Sequence, residues 1–122
     1  MEIERMRRVL AEKALGWTLI PDDGKGEAWV DANRHLRCWA DDWHPDTDWE
    51  QCGLVIEAMR AKRWEWYVED QEAIFKDDDR STVSVSLSKK GRLNWMQAFD
   101  ERMARMQCAA TIIWDWEAAD GD

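Results

Sequence analysis

The chain is poor in the residues that small proteins use to staple or bend themselves. It has three cysteines, two prolines and six glycines in 122 residues. An odd number of cysteines without paired spacing makes no disulfide framework and suits a reducing compartment. No apolar run is long enough for a membrane span, and the opening MEIERMRRVLAEK lacks the uninterrupted hydrophobic stretch of a signal peptide. The sequence therefore reads as cytoplasmic. Catalytic signatures are missing too: there is no Gly-x-Ser-x-Gly elbow, no His-Glu-x-x-His and no phosphate-cradling glycine loop with its Lys-Ser/Thr. Gly24-Lys25-Gly26 alone is weak evidence for such a loop. The expectation is a protein that is not an enzyme and needs no cofactor.

Positive charge is also in short supply. Seventeen Lys and Arg face 26 Asp and Glu, a net charge of -9. That balance opposes attraction to nucleic acid or anionic membrane and favours a protein partner with a basic surface. Phenylalanine and tyrosine are nearly absent, at two and one, yet there are ten tryptophans. Most of them stand within a few residues of an acid. Ten are more than one small core needs.

Hydrophobic periodicity organises the chain. Ile3, Met6, Leu10 and Ala14 repeat at three and four, so Glu2 to Leu15 reads as a helix stopped by Gly16. Its Arg5, Arg7, Arg8 and Lys13 read as a solvated outer face. Trp17 to Asp46 is turn-rich, with Ala28–Asp31 and His35–Ala40 as two short strands joined by an Asp-Ala-Asn-Arg turn. Thr47 and Glu50 have the spacing of a capping box for a second helix, which carries Trp49, Cys52, Ile56 and Met59 to about Lys62. Gly53 within it suggests a close approach by another element. Trp64 to Glu69 alternates strictly, with Trp64, Trp66 and Val68 on one side and Glu65, Tyr67 and Glu69 on the other.

Ala73–Lys76 is a weaker strand candidate, ended by Asp77-Asp78-Asp79. Thr82–Ser88 alternates valine and leucine with serine, and Lys89-Lys90-Gly91 turns it back through Leu93, Trp95 and Phe99. Asp100 caps the last helix, with Met103, Met106, Ala110, Ile113 and Trp114 as its stripe; an alternative start lies near Leu93. The expected fold class is α+β, a layered sandwich of three helices and a mostly antiparallel sheet of about four to six strands in the order α-β-β-α-β-β-β-α. One domain over residues 1–118 would leave 119–122 as a disordered tail.

Three phrases resemble those of the phage ABA sandwich domain family. They are Ala11-Glu12-Lys13-Ala14-Leu15-Gly16-Trp17, then Pro45-Asp46-Thr47-Asp48-Trp49 leading into Val55-Ile56-Glu57-Ala58-Met59, and Met106-Gln107-Cys108-Ala109-Ala110. The resemblance implies a layered domain from a bacteriophage or prophage, of unassigned biochemical role, with no catalytic residues to carry across. Asp77-Asp78-Asp79 and the tryptophans at 39, 43, 64, 66, 114 and 116 fall outside these phrases.

Two metal readings are weak. His35, Cys38, His44 and Cys52 have zinc-binding atoms, but only the first two approach paired spacing. Asp41, Asp42, Asp46 and Asp48 lack the order of a calcium loop and are better read as turn and cap residues. The stronger site expectation is aromatic and acidic. Trp17 and Trp49 are expected in the core, and strand alternation accounts for Trp64, Trp66 and Trp95. What remains is a partner-binding surface of Trp39, Trp43, Trp114 and Trp116 with Asp41, Asp42, Asp77, Asp78 and Asp79. The function it suggests is a non-catalytic phage accessory protein that binds, and inhibits, a host or defence protein. The rival is a small-ligand or nucleotide-binding module using Arg5, Arg8 or Lys62, and a self-associating structural protein is a third option.

Overall fold

The computed structural model describes residues 1–22, 26–71, 82–98 and 100–117, the side chains of 22, 70, 71, 82, 116 and 117 excepted. The expected strand at Ala73–Lys76, the acids at 77–79 and the tail at 119–122 lie outside the described residues. The fold is α+β, and the described residues form three helices and two three-stranded antiparallel sheets. Helix α1 (Ile3–Val9) runs on into a wider π-helical turn, Leu10–Ala14. Gly16 ends it with φ of 71°, where the Trp17 N–H reaches back to the Ala11 carbonyl. A residue with a Cβ is strained at that φ, so glycine is the natural stop.

The first sheet is β1 (Thr18–Asp22), β2 (Gly26–Val30) and β3 (Leu36–Trp39), in that order. The β2–β3 hairpin matches the sequence expectation. Its turn is held by Asp31, whose carboxylate accepts from the Asn33 and His35 N–H groups. The His35 N–H, then Asn33 and the charges of His35 and Arg37, hold the Asp31 carboxyl below its ordinary value even though desolvation opposes them. Strand β1 is an addition to the expected order. Pro21 lies within the stretch that reads as turn-rich, but an edge strand tolerates proline where the missing N–H has no ladder partner to lose.

Helix α2 (Trp49–Ala61) begins one residue later than the expected cap. Asp48, not Thr47, accepts from the Gln51 N–H, while the Thr47 hydroxyl turns back to the His44 ring nitrogen and carbonyl. The helix ends in a Schellman closure: Arg63 takes φ of 74°, and the Trp64 and Arg63 N–H groups reach the Met59 and Arg60 carbonyls. This turn drops Trp64 into the core and starts β4 (Glu65–Gln71) in fixed register. Gly53 meets nothing within 4 Å of an added Cβ, so the expected close approach is absent.

The second sheet has the order β4, β5 (Thr82–Lys89), β6 (Arg92–Ala98). Lys90 and Gly91 both have positive φ, the geometry of a two-residue hairpin turn. Asp100 caps α3 (Glu101–Ile112) by accepting from the Arg102 and Met103 N–H groups, which settles the later of the two expected starts. Burial disfavours its charge, but Arg102 and these N–H groups prevail and lower its pKa. Helix α3 lies across β5 and β6 with α2 beside it. Met106, Cys108, Ala109, Ala110 and Ile112 meet Val85, Leu87, Met59, Met6 and Leu10 in the core. Its last residues, Ile113–Glu117, widen into a second π-helical turn. No helix among the described residues is long and apolar enough to cross a membrane.

Candidate partner-binding surface

The tryptophans separate into buried and exposed sets by a rule that sequence neighbours do not reveal. Trp43 leaves a short turn of helix at Ala40–Asp42, where the chain bends from β3 toward α2. There its ring is 2% exposed and meets Trp17 edge-on, with ring centroids 4.9 Å apart. Its indole N–H donates to the Arg7 carbonyl at 2.7 Å. Arg7 in turn grips Asp46 with two bonds, Nε to Oδ1 at 2.7 Å and Nη2 to Oδ2 at 3.0 Å, and Asp46 is itself 2% exposed. That hydrogen bond, followed by burial acting against it and the Asp46 charge acting for it, raises the Arg7 pKa. Trp43 was expected at a partner surface, and this is a correction: the ring is a core element, because its polar edge finds a backbone acceptor inside.

The backbone beside Trp43 is tied down, but the neighbouring Asp41 and Asp42 carboxylates are not. Gln51 ties the turn by donating to the Asp42 carbonyl and accepting from the His44 N–H. Asp41 and Asp42 remain exposed, and Trp39 is half-buried. Asp41 lines a cleft of about 530 Å³ between α1 and the first sheet, with Arg5, Arg7 and Arg8 on the helix wall and Trp29 and Trp43 on the other. These arginines are engaged: Arg7 with Asp46, Arg8 with Glu12 at 3.5 Å, and Arg5 over the ring of Trp114 at 4.2 Å. Arg5 thus links the cleft to Trp114. The structure brings Asp41, Trp43 and Trp114 around α1 in this way. The side chain of Trp116 and residues Asp77, Asp78 and Asp79 lie outside the described residues.

Among the described side chains three tryptophans are exposed: Trp95 at 60%, Trp49 at 52% and Trp114 at 46%. Trp49 was expected in the core. It sits instead at the first position of α2, facing outward, with the Arg102 guanidinium 5.3 Å from its ring. Trp95 was set aside as a strand residue, and its register gives the reason to restore it. Lys89 pairs with Arg92, so Ser88 pairs with Leu93 and Ser86 with Trp95. Val85 and Leu87 are buried, so the serines and their partners point to the other face. On β4 the partners of Ser88, Ser86 and Ser84 are Glu65, Tyr67 and Glu69.

This open face consists of three columns. Glu65, Tyr67 and Glu69 form one ridge, Leu93, Trp95 and Gln97 the other, and three serines lie between them. With strands about 4.8 Å apart, the ridges stand about 10 Å apart across a shallow trough. Tyr67 and Leu93 are more than half exposed, as is Trp95. The Tyr67 hydroxyl donates to Glu65 at 2.8 Å, and that bond, with the carboxylate's charge, raises the phenol pKa. These strand positions carry two carboxylates and no cation. The parity of a two-residue turn was the signal that would have found the face.

Cys52 and Cys108 are buried, and desolvation pushes their thiols up to about 11 and about 12. Burial also raises Cys38. Among the described residues, no three His, Cys, Asp or Glu side chains gather where they could hold a metal ion.

No protein-family model matches the chain, and no curated protein matches it in sequence. A solved structure does share the fold: a phage protein from Bacillus cereus ATCC 14579, with a TM-score of 0.56 and 16% identity over 90% of each chain. At that identity the likeness is one of architecture.

Proposed function

We propose that this chain is a non-catalytic bacteriophage or prophage accessory protein that works by binding a basic protein surface. The phage source comes from the fold shared with the Bacillus cereus phage protein, together with the phrases that resemble the phage ABA sandwich domain family. The observation that carries the binding reading is the open face of the second sheet. A broad exposed aromatic strip beside carboxylates that have no ion-pair partner among the described residues is an interface composition, in which the rings anchor and the acids steer. With a net charge of -9, encounter with a basic partner is favoured at long range. The partner is a host or defence protein whose basic groove this acidic face occupies, and occupation inhibits it.

Affinity capture from host lysate at low salt, repeated at high salt and with Trp95→Ala, tests the reading. A partner retained by the native protein and lost in both other conditions supports it. No partner in any condition sinks it. The cleft beside α1 favours a second reading, a nucleotide or small-ligand module, because Arg5, Arg8 and Trp29 line one cavity. There Arg8 already faces Glu12, so a phosphate would compete with that carboxylate for it, while Arg5 keeps its edge donors free over Trp114. Thermal shift against a nucleotide panel separates the two, since a ligand bound only by the native state raises stability.

A further inference from the structure

The protein repeatedly covers its tryptophans with its own arginines. Arg5 lies over Trp114, Arg102 over Trp49, Arg105 over Trp66 at 5.1 Å and Arg37 over Trp17 at 5.6 Å. A guanidinium is planar and weakly hydrated, so it stacks on an indole while keeping its edge donors free for carboxylates. Both other exposed tryptophans, 49 and 114, have such a cover. Among the described residues, Trp95 has none. It is the most exposed of the three, and across the serine column stand Tyr67 and two carboxylates without an ion-pair partner among the described residues.

We infer that the partner supplies the missing cation: an extended segment bearing arginine at alternate positions, laid along the serine trough between Tyr67 and Trp95. This deepens the proposed function and rests on it. Side chains on one side of an extended segment recur every two residues, the same period that separates Glu65, Tyr67 and Glu69. An arginine stacked on Trp95 therefore has neighbours two residues away in reach of the flanking carboxylates. The small serine side chains leave room for the segment's backbone. Lysine is a poorer fit: Lys89 does sit over the Trp64 ring at 5.7 Å, but a compact, strongly hydrated ammonium has no planar face to lay on an indole and makes no two-pronged bond.

The probe is a synthetic peptide alternating arginine and threonine, with lysine and citrulline versions as controls. Binding to the full chain is followed by calorimetry at low ionic strength and by the indole N–H resonances. The arginine peptide is expected to bind more tightly than the lysine peptide, and citrulline, which keeps the shape without the charge, to lose most of the affinity. Trp95→Ala should weaken binding about fivefold to tenfold. Glu65→Gln with Glu69→Gln should weaken it and flatten its salt dependence. Ser86→Trp, which fills the trough without removing either ridge, should block it, with the thermal midpoint reporting that each variant is folded.

Equal binding by the citrulline peptide, no binding by the arginine peptide, or full binding by Trp95→Ala overturns the inference. So does selective binding of a neutral oligosaccharide, tested in parallel. If the arginine peptide fails but Trp95→Ala still abolishes capture of the lysate partner, the face is a docking surface of other specificity. The broader reading then survives and this inference does not. If peptide and capture both fail, both fall.

Discussion

Trp43 and Trp95 occupy opposite situations in one small molecule. Around Trp43, the polar groups that seat the ring close on other parts of the chain, and the Asp41 and Asp42 side chains beside it stay exposed. The indole N–H meets the Arg7 carbonyl, Arg7 meets Asp46, and Gln51 joins Asp42 to His44. Around Trp95, among the described residues, the ring has no cover and the carboxylates across the sheet have no ion-pair partner. Both regions combine tryptophan with acids, and only one leaves the ring open as well as the acids. Tryptophan beside acid is thus no mark of an interface until the pairing is known.

The largest effect expected from breaking this contrast is at Trp43. Trp43→Ala empties a core site and orphans the Arg7 carbonyl, and should cost about 3–5 kcal/mol in denaturant unfolding. Next is Arg7→Met, which leaves the buried Asp46 carboxylate without its two donors. The pair is open to water on the arginine side, so a loss of about 3 kcal/mol is expected, at the lower end for a broken buried pair. The corresponding loss for Asp46→Asn should be smaller, because the remaining guanidinium can turn to solvent. Equal losses would show that the two side chains are not buried as unequally as the geometry has them.

Gly53→Ala sharpens the comparison from a third direction. An added Cβ meets nothing nearby, so the substitution should raise stability by about 1 kcal/mol through helix propensity alone. A loss would mean that some element does approach α2 there. The smallest effect belongs to Trp95→Ala, whose thermal unfolding should stay within about 0.5 kcal/mol of the native protein. A cost of several kcal/mol would make Trp95 structural and remove the basis for a docking face.

Much of the fold was legible because its signals are local. Helical stripes at three and four marked α1, α2 and α3, the Asp100 cap marked where α3 starts, and Lys90-Gly91 marked the tight hairpin. Strand β1 was not legible, because Pro21 and the glycines after it resemble a loop until pairing with β2 is known. The division into two sheets was hidden for the same reason, since pairing is non-local. Thr47 and Asp48 both suit a helix cap, and the His44 contact that diverts Thr47 depends on the bend at Pro45.

The site was less legible than the fold. The expectation of an exposed tryptophan surface located Trp114 at the surface, but it sent Trp43 outward and Trp49 inward. A tryptophan carries a single polar edge, so its burial turns on whether one acceptor waits inside. For Trp43 that acceptor is a backbone carbonyl 36 residues away. For Trp49, the buried stripe of α2 runs through Cys52, Val55 and Met59, which leaves the first helical position facing outward. Trp95 was misjudged because alternation says that a residue faces one side of a strand and not which side another element covers.

The central claim is that, of the three exposed tryptophans, Trp95 is the one that meets a partner. Oxidative footprinting read by mass spectrometry, with and without polyarginine at low ionic strength, tests it within one sample. Alone, Trp95 and Tyr67 should oxidise readily while Trp43 and Trp64 resist. With polyarginine, protection should fall on Trp95 and Tyr67 and leave Trp49 and Trp114, each already under an arginine of the chain, unchanged. Protection centred on Trp49 or Trp114, or spread equally over all three, would contradict the account.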